Sequence, residues 1–200
     1  MYDLTHPIES GMPTYPGDPI VESWPNATIG ADGYRVTAFG MSTHTGTHID
    51  APRHIEPEGR ALSAYPVDRF RFDARLVDCA VGPKESIEEG CVPDTDADLL
   101  LFHTGWSDYW GEDVYYDYPH LSPSAAERCA ELGCDVGIDT PSVDPMGADL
   151  LAHHELFRAD HLIIENLTNL GALPERVTVY ALPLPLAGAD GAPARVVAHE

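Results

Sequence analysis

A chain of 200 residues with 44% hydrophobic side chains is long enough to bury a sizeable core and suits one domain spanning residues 1–200. Its 33 acidic and 11 basic residues give a net charge of −22, which excludes nucleic acid and anionic membrane as partners, because neutralising phosphate takes Lys and Arg. No apolar run approaches the roughly 20 residues that cross a bilayer. The start, MYDLTHPIESG, has neither a basic nor an apolar leader segment, so the expected location is the cytoplasm.

The acids are scattered along the whole chain, which describes a folded domain with an acidic surface rather than a disordered tail. Lys84 is the only lysine. Such a composition resembles proteins of salt-in halophiles, where screening makes self-repulsion tolerable, so a halophilic, archaeal source is expected. Cys79, Cys91, Cys129 and Cys134 form no C-x-x-C pair and are read as reduced, mostly buried thiols.

In chain order, the Pro- and Gly-rich first forty residues (MPTYPGDP) read as loops with short extended pieces. Tyr34–Met41 reads as a strand leading into a histidine cluster, and Arg75–Val81 as a second strand. Leu99–His103 has the length of a buried strand. Ser122–Leu132 reads as a helix, with Ser122 as cap, Pro123 in the first turn and Gly133 as stop. Val136–Ile138 is a strand, Ala148–Leu156 a helix, His161–Ile164 a strand ending at Glu165, and Val177–Leu186 a last strand. Pro183 and Pro185 suggest an edge position for it. The mixture points to an α/β fold, a mixed β-sheet packed with helices. No G-x-G-x-x-G and no G-x-x-x-x-G-K-[ST] occurs, so a doubly wound nucleotide fold is not expected.

The chemistry concentrates in HTGTHIDAPRH, from His44 to His54. Imidazoles and a carboxylate are what a Zn²⁺- or Mn²⁺-type cation takes at about 2.0–2.2 Å. If Thr47–Asp50 is extended, His48 and Asp50 project from one face, and Gly46 lets the backbone fold His44 back alongside them. A second cluster lies downstream, where His153 and His154 sit in a helical stretch. Glu165 follows an apolar run, where a carboxylate is costly without a positive partner. GIDTPSVDP carries Asp139, Thr140, Ser142 and Asp144, read as turn formers or as supports around the site.

HTGTHIDAPRH resembles the H-x-G-T-H-x-D-x-P-x-H pattern of the cyclase-type metal hydrolases, a family that includes kynurenine formamidases and isatin hydrolases. DLTHPIESGMPTYPGDP, LLFHTGWSDYW, GIDTPSVDP, IIENLTNL and ALPLPLAGADGAPARVVA look like further blocks of that family in the family order. The resemblance implies a swivelling β/β/α-type fold and a homodimer or higher homo-oligomer acting on a small-molecule substrate. It also implies a pair of divalent ions, zinc as first expectation and manganese second. His44, His48 and Asp50 would hold one ion. Asp50 would bridge to the other, completed by His153 and by Glu165, which lies twelve positions beyond it. His154 would be left as a structural residue.

His54 would then be the proton donor and acceptor beside a metal-activated water. The implied reaction is cleavage of a C–N bond in a formamide or cyclic amide, N-formylkynurenine being the first substrate to try. A lactone hydrolase or cyclase on the same site is the alternative reading, and a non-catalytic metal-binding protein the contrasting one. Tyr15 stands where the kynurenine formamidase type has a tryptophan that packs on an aromatic substrate, so it is assigned to substrate binding. His103 has no assigned role. The aromatic stretches Met12–Trp24 and Trp106–Tyr118 would form an interface or cover the active site.

Overall fold

Leu99 and Leu101 point one way from their strand and Leu100 and Phe102 the other, and all four are fully buried, so this strand must be covered on both faces. The computed structural model, which describes Met1–Glu200, provides that cover. Its strands are β1 (Tyr2–Asp3), β2 (Glu22–Ala27), β3 (Val36–Gly40), β4 (His48–Asp50), β5 (Arg71–Asp78), β6 (Ser86–Ile87), β7 (Leu99–His103) and β8 (His120–Leu121). They continue with β9 (Asp135–Ile138), β10 (Ile163–Glu165), β11 (Arg176–Pro183) and β12 (Gly191–His199). The helices are α1 (Ile29–Asp32), α2 (Pro123–Leu132) and α3 (Leu151–Arg158), accompanied by short 3₁₀ turns.

The main sheet runs β1-β12-β11-β5-β7-β9-β10-β4, and β4 pairs again with β12, so seven strands close into a barrel with β1 added at β12. Strands β5, β7, β9 and β10 are mutually parallel, whereas β4, β11 and β12 join antiparallel to their neighbours. One core fills the barrel: Phe72, Leu99, Leu101, Ile164 and Val179 interleave with Ala74, Ala181, Ala192 and Ala194. Alternating large and small side chains fit so narrow an interior. The second core lies outside, where Leu100, Phe102, Val136, Ile138 and Ile163 meet Ala125, Cys129, Leu156 and Phe157 of α2 and α3.

The mixed α/β reading holds, and the elements agree within a few residues. Helix α2 begins as expected: Ser122 Oγ accepts from the Ala125 N–H at 3.2 Å, and Gly133 closes it in the left-handed region. The helix read at Ala148–Leu156 runs Leu151–Arg158, and the strand read at His161–Ile164 is Ile163–Glu165. Strands β2 and β3 form an outlying, largely exposed ribbon.

The edge position expected for Val177–Leu186 is corrected. Strand β11 lies between β12 and β5. Its pairing with β5 ends at Tyr180. The Leu184 N–H donates to the Pro193 carbonyl at 3.0 Å, so the nitrogen of Pro183 faces away from β12, where β5 no longer pairs and no ladder bond is lost. Sequence reading also missed β12, the longest strand. No helix is long and apolar enough to cross a membrane. All four cysteines are free; three are buried and Cys91 is exposed.

Candidate active site

The site sits on the outer face of the barrel where β12, β4 and β10 meet. His48 and Asp50 occupy alternate positions of β4 and share a face, as the extended reading requires. Glu165 pairs directly opposite His48 in the antiparallel neighbour, so its carboxylate joins that face. On the other side, Gly191 of β12 pairs opposite Asp50, and its missing side chain leaves room for His44. Gly46, at φ +60°, provides the left-handed turn that folds His44 back over β4. Helix α3 brings His153 down from above.

These groups converge on two buried carboxylates. Asp50 Oδ1 lies 2.6 Å from His44 Nδ1 and 3.2 Å from His48 Nε2. Asp50 Oδ2 lies 3.7 Å from His153 Nε2. Glu165 stands 3.5 Å from His48 Nε2 and 3.6 Å from His153 Nε2. Thus all five predicted ligand residues are brought together, and four of them, His48, Asp50, His153 and Glu165, are buried. His54 lies beside them at the more open side, its ring centred 4.0 Å from that of His44 and 5.8 Å from that of His153.

The electrostatics are those of a crowded centre. Burial alone would lower His44, but Asp50 and Asp190 outweigh it and raise the imidazole to about 10. Burial likewise opposes charge on His153, yet its bonds with Asp144 and Asp50, with Glu165 nearby, raise it to about 10. In His48 the same contest, won by Asp50 and Glu165, raises the pKa. Burial pushes up the pKa of Asp50, but His44 and His48 hold it well below the usual carboxylate range. Glu165 is raised to about 7 by burial and by the charge of Asp50. Burial keeps His54 below its ordinary value, and the nearby His44 and His153 reinforce this.

The surrounding shell is ordered. His48 Nδ1–H donates to the Gly46 carbonyl at 2.7 Å, and His153 Nδ1–H donates to Asp144 at 2.7 Å. Asp144, read as a turn former or support, also accepts from the Ala152 and His153 N–H groups and so caps α3. Ser142 Oγ accepts from the Asp144 N–H, and Thr140 donates to the Ser142 carbonyl. Asp139 is a turn residue: its carboxylate accepts from Thr104 and Gly105. His154 lies outside the centre and donates to Glu56 at 2.8 Å. His103 is bound to Asp78 at 2.7 Å, away from the cleft.

The centre forms the floor of a cleft of about 220 Å³ whose walls include Tyr15, Trp110, Tyr115, Tyr116 and Leu150. Both aromatic stretches noted in the sequence therefore contribute to the cover over this centre. The Tyr15 hydroxyl accepts from the Gly147 N–H at 3.3 Å. His6 stacks on Trp110 at 3.9 Å between ring centres, the two rings nearly parallel, which props that wall from behind.

Sequence reading missed Asp190, whose Oδ2 lies 3.0 Å from His44 Nε2 and 3.6 Å from His54 Nδ1. Its signal was a lone acid in the Gly-Ala-Asp-Gly turn before β12.

The family model described as "Cyclase" matches residues 2–145. A kynurenine formamidase of Salinibacter ruber is 33% identical over 100% of this chain and 97% of its own. The structure described as a predicted metal-dependent hydrolase from Bacillus stearothermophilus is 32% identical, with a TM-score of 0.80 over 98% of this chain and 95% of its own. The same barrel is found in isatin hydrolase A from Ralstonia solanacearum, 21% identical, with a TM-score of 0.89 over 98% of this chain and 90% of its own. With most of its length matched by the family model, and all of it aligned to a relative above 30% identity, the chain belongs to the cyclase family.

Proposed function

We propose that this chain hydrolyses the C–N bond of a small formamide or cyclic amide, with N-formylkynurenine as the first substrate to assay and isatin-like lactams as the second. One observation carries the reading: His44, His48, Asp50, His153 and Glu165 converge beneath an aromatic-walled cleft while His54 stands beside them. Three further points support two divalent ions at this centre. His48 Nε2 is buried without a hydrogen-bond partner. Two buried carboxylates face imidazole nitrogens, and the one further contact of Glu165 is the Val143 N–H, which donates to it at 3.1 Å. The donors are nitrogen and carboxylate oxygen, a set that zinc favours and manganese accepts.

When bound, such ions bring the pKa of a coordinated water towards about 7 and polarise a carbonyl. The protein's own residues do the rest. His44, His48 and Asp50 would hold one ion, and Asp50, His153 and Glu165 would hold the other. Tyr15 and the neighbouring rings hold an aryl group flat in the cleft and exclude water. His54 takes a proton from the attacking water and delivers it to the departing nitrogen. Water oxygen bonds to the carbonyl carbon as the C–N bond breaks, leaving a carboxylic acid and an amine.

A His54→Ala variant tests this assignment: it should keep its metal and lose about 10²-fold or more in kcat. Undiminished hydrolysis of every amide tested would rule the role out. A binding protein without turnover would have no use for this extra histidine.

The finer settings are read as follows. The chain works as a single domain over residues 1–200, in the cytoplasm, where four free thiols stay reduced. Self-association as a homodimer or higher is supported by exposed Trp24, Val36 and Phe39 on the β2–β3 ribbon. A halophilic setting is supported by the charge of −22.

A further inference from the structure

Each of the three histidines facing Asp50 and Glu165 has its outward ring nitrogen fixed by an acceptor. For His48 the acceptor is the Gly46 carbonyl, for His153 it is Asp144, and for His44 it is Asp190, to which Nε2–H donates at 3.0 Å. The opposite nitrogen of each points at the carboxylates.

Asp190 differs from the other two acceptors in reaching a second imidazole. The same Oδ2 that meets His44 stands 3.6 Å from His54 Nδ1. Its other oxygen accepts from Thr43 Oγ1–H at 3.1 Å, and its own carbonyl accepts from the Ala51 N–H at 2.8 Å. Asp190 is thereby tied to the motif by its carboxylate at Thr43 and His44 and by its main chain at Ala51. The following residue is shaped for this approach. A Cβ at Gly191 would lie 2.7 Å from His44 Cε1 and 2.9 Å from the Ile49 carbonyl oxygen, closer than side chains approach, and 3.0 Å from Asp50 Oδ1.

We propose that Asp190 is a positioning residue for the metal centre: it fixes His44 with Nδ1 turned to Asp50 and holds His54 beside it. The inference rests on the reading of His44 as a ligand. A histidine whose outer nitrogen is unheld can turn its ring or present the wrong nitrogen, and loss of such an outer partner typically costs 10- to 100-fold in metal affinity.

The test is zinc affinity of the full chain, measured by competition with a chelator, for the wild type and for Asp190→Ala, Asp190→Asn, Gly191→Ala and His44→Ala. Asp190→Ala should bind zinc about 10- to 100-fold more weakly, and Asp190→Asn, which keeps an acceptor oxygen, should recover most of that loss. Gly191→Ala should weaken binding with Asp190 still present, because its Cβ crowds His44 and the β4 backbone beside Asp50. Melting of the metal-free Asp190→Asn protein should match the wild type, which separates positioning from folding. At saturating zinc, Asp190→Ala should lower kcat with KM unchanged, since the carboxylate packed 3.6 Å from His54 Nδ1 is gone. If Asp190→Ala binds zinc as the wild type does while His44→Ala does not, the proposal is overturned and the ligand reading stands. If His44→Ala also binds normally, the ligand reading itself falls, and the proposal with it.

Discussion

Asp144 holds two structures at once, so its removal has a cost that can be worked from its contacts. Helix α3 starts at Leu151 behind Leu150, which has no side chain able to cap it. Asp144, in the preceding loop and 2% exposed, takes that role by accepting from the Ala152 N–H at 2.8 Å and the His153 N–H at 3.0 Å. It also accepts from His153 Nδ1 at 2.7 Å. Loss of a cap costs about 1 kcal/mol, and loss of a buried bond between charged partners roughly 1.5–3 kcal/mol. Asp144→Ala should therefore cost about 2.5–4 kcal/mol, lowering Tm by about 10 °C in a protein of this size. Zinc affinity should fall by about 10- to 100-fold as His153 loses its orientation. Asp144→Asn, which keeps an acceptor but not the charge, should fall between. Thermal melts of metal-free protein and chelator competition with zinc read both effects. An Asp144→Ala protein that melts within about 2 °C of the wild type and binds zinc normally would refute the reasoning.

Two further outcomes are expected. Burial lowers His6 to about 4, below its unfolded value of 6.5, so the unfolded chain takes up this proton first as pH falls. Stability from this residue is intact above 6.5 and is lost between 6.5 and 4, by at most about 3 kcal/mol. His6→Phe, which keeps a ring under Trp110, should flatten that part of the stability–pH curve in urea melts at pH 7 and pH 4.5; an unchanged slope would show that His6 does not cause it. The second outcome concerns substrate charge. The cleft lining includes Asp18 but no Lys or Arg. N-formylkynurenine, a zwitterion, therefore finds Asp18 for its ammonium group but no cation for its carboxylate, so esterifying the carboxylate should leave KM unchanged or lower it, whereas loss of a charge-assisted bond would raise it by about tenfold. A lower KM for the carboxylate-bearing substrate would contradict this.

The legible parts of the fold were those where local signals agreed. Helix α2 had a cap, a first-turn proline and a glycine stop, and it formed where these signals placed it. At the centre, His44, His48 and Asp50 were legible from three ligand-type residues packed into one short segment, whereas His153 and Glu165 were assigned as ligands only through the resemblance to the family. Strand β12 was not legible. Its inward positions are Ala192, Ala194, Val196 and Ala198, and alanine is a poor strand signal. The barrel selects these small side chains for space, a constraint that appears only once the ring is closed. Closure through β4 is equally invisible locally, since the strand is three residues long and pairs on both sides. Asp190 was missed for the same reason: its partners lie 146 residues away for His44, and only the β12–β4 pairing brings them together.

The proposed chemistry rests on Asp50 and Glu165 holding divalent metal together with the histidines. Elemental analysis of the purified chain tests it most directly, comparing the wild type with Asp50→Asn and Glu165→Gln. About two zinc or manganese ions per chain are expected in the wild type and fewer in each variant. A metal content that stayed the same in both variants would contradict it.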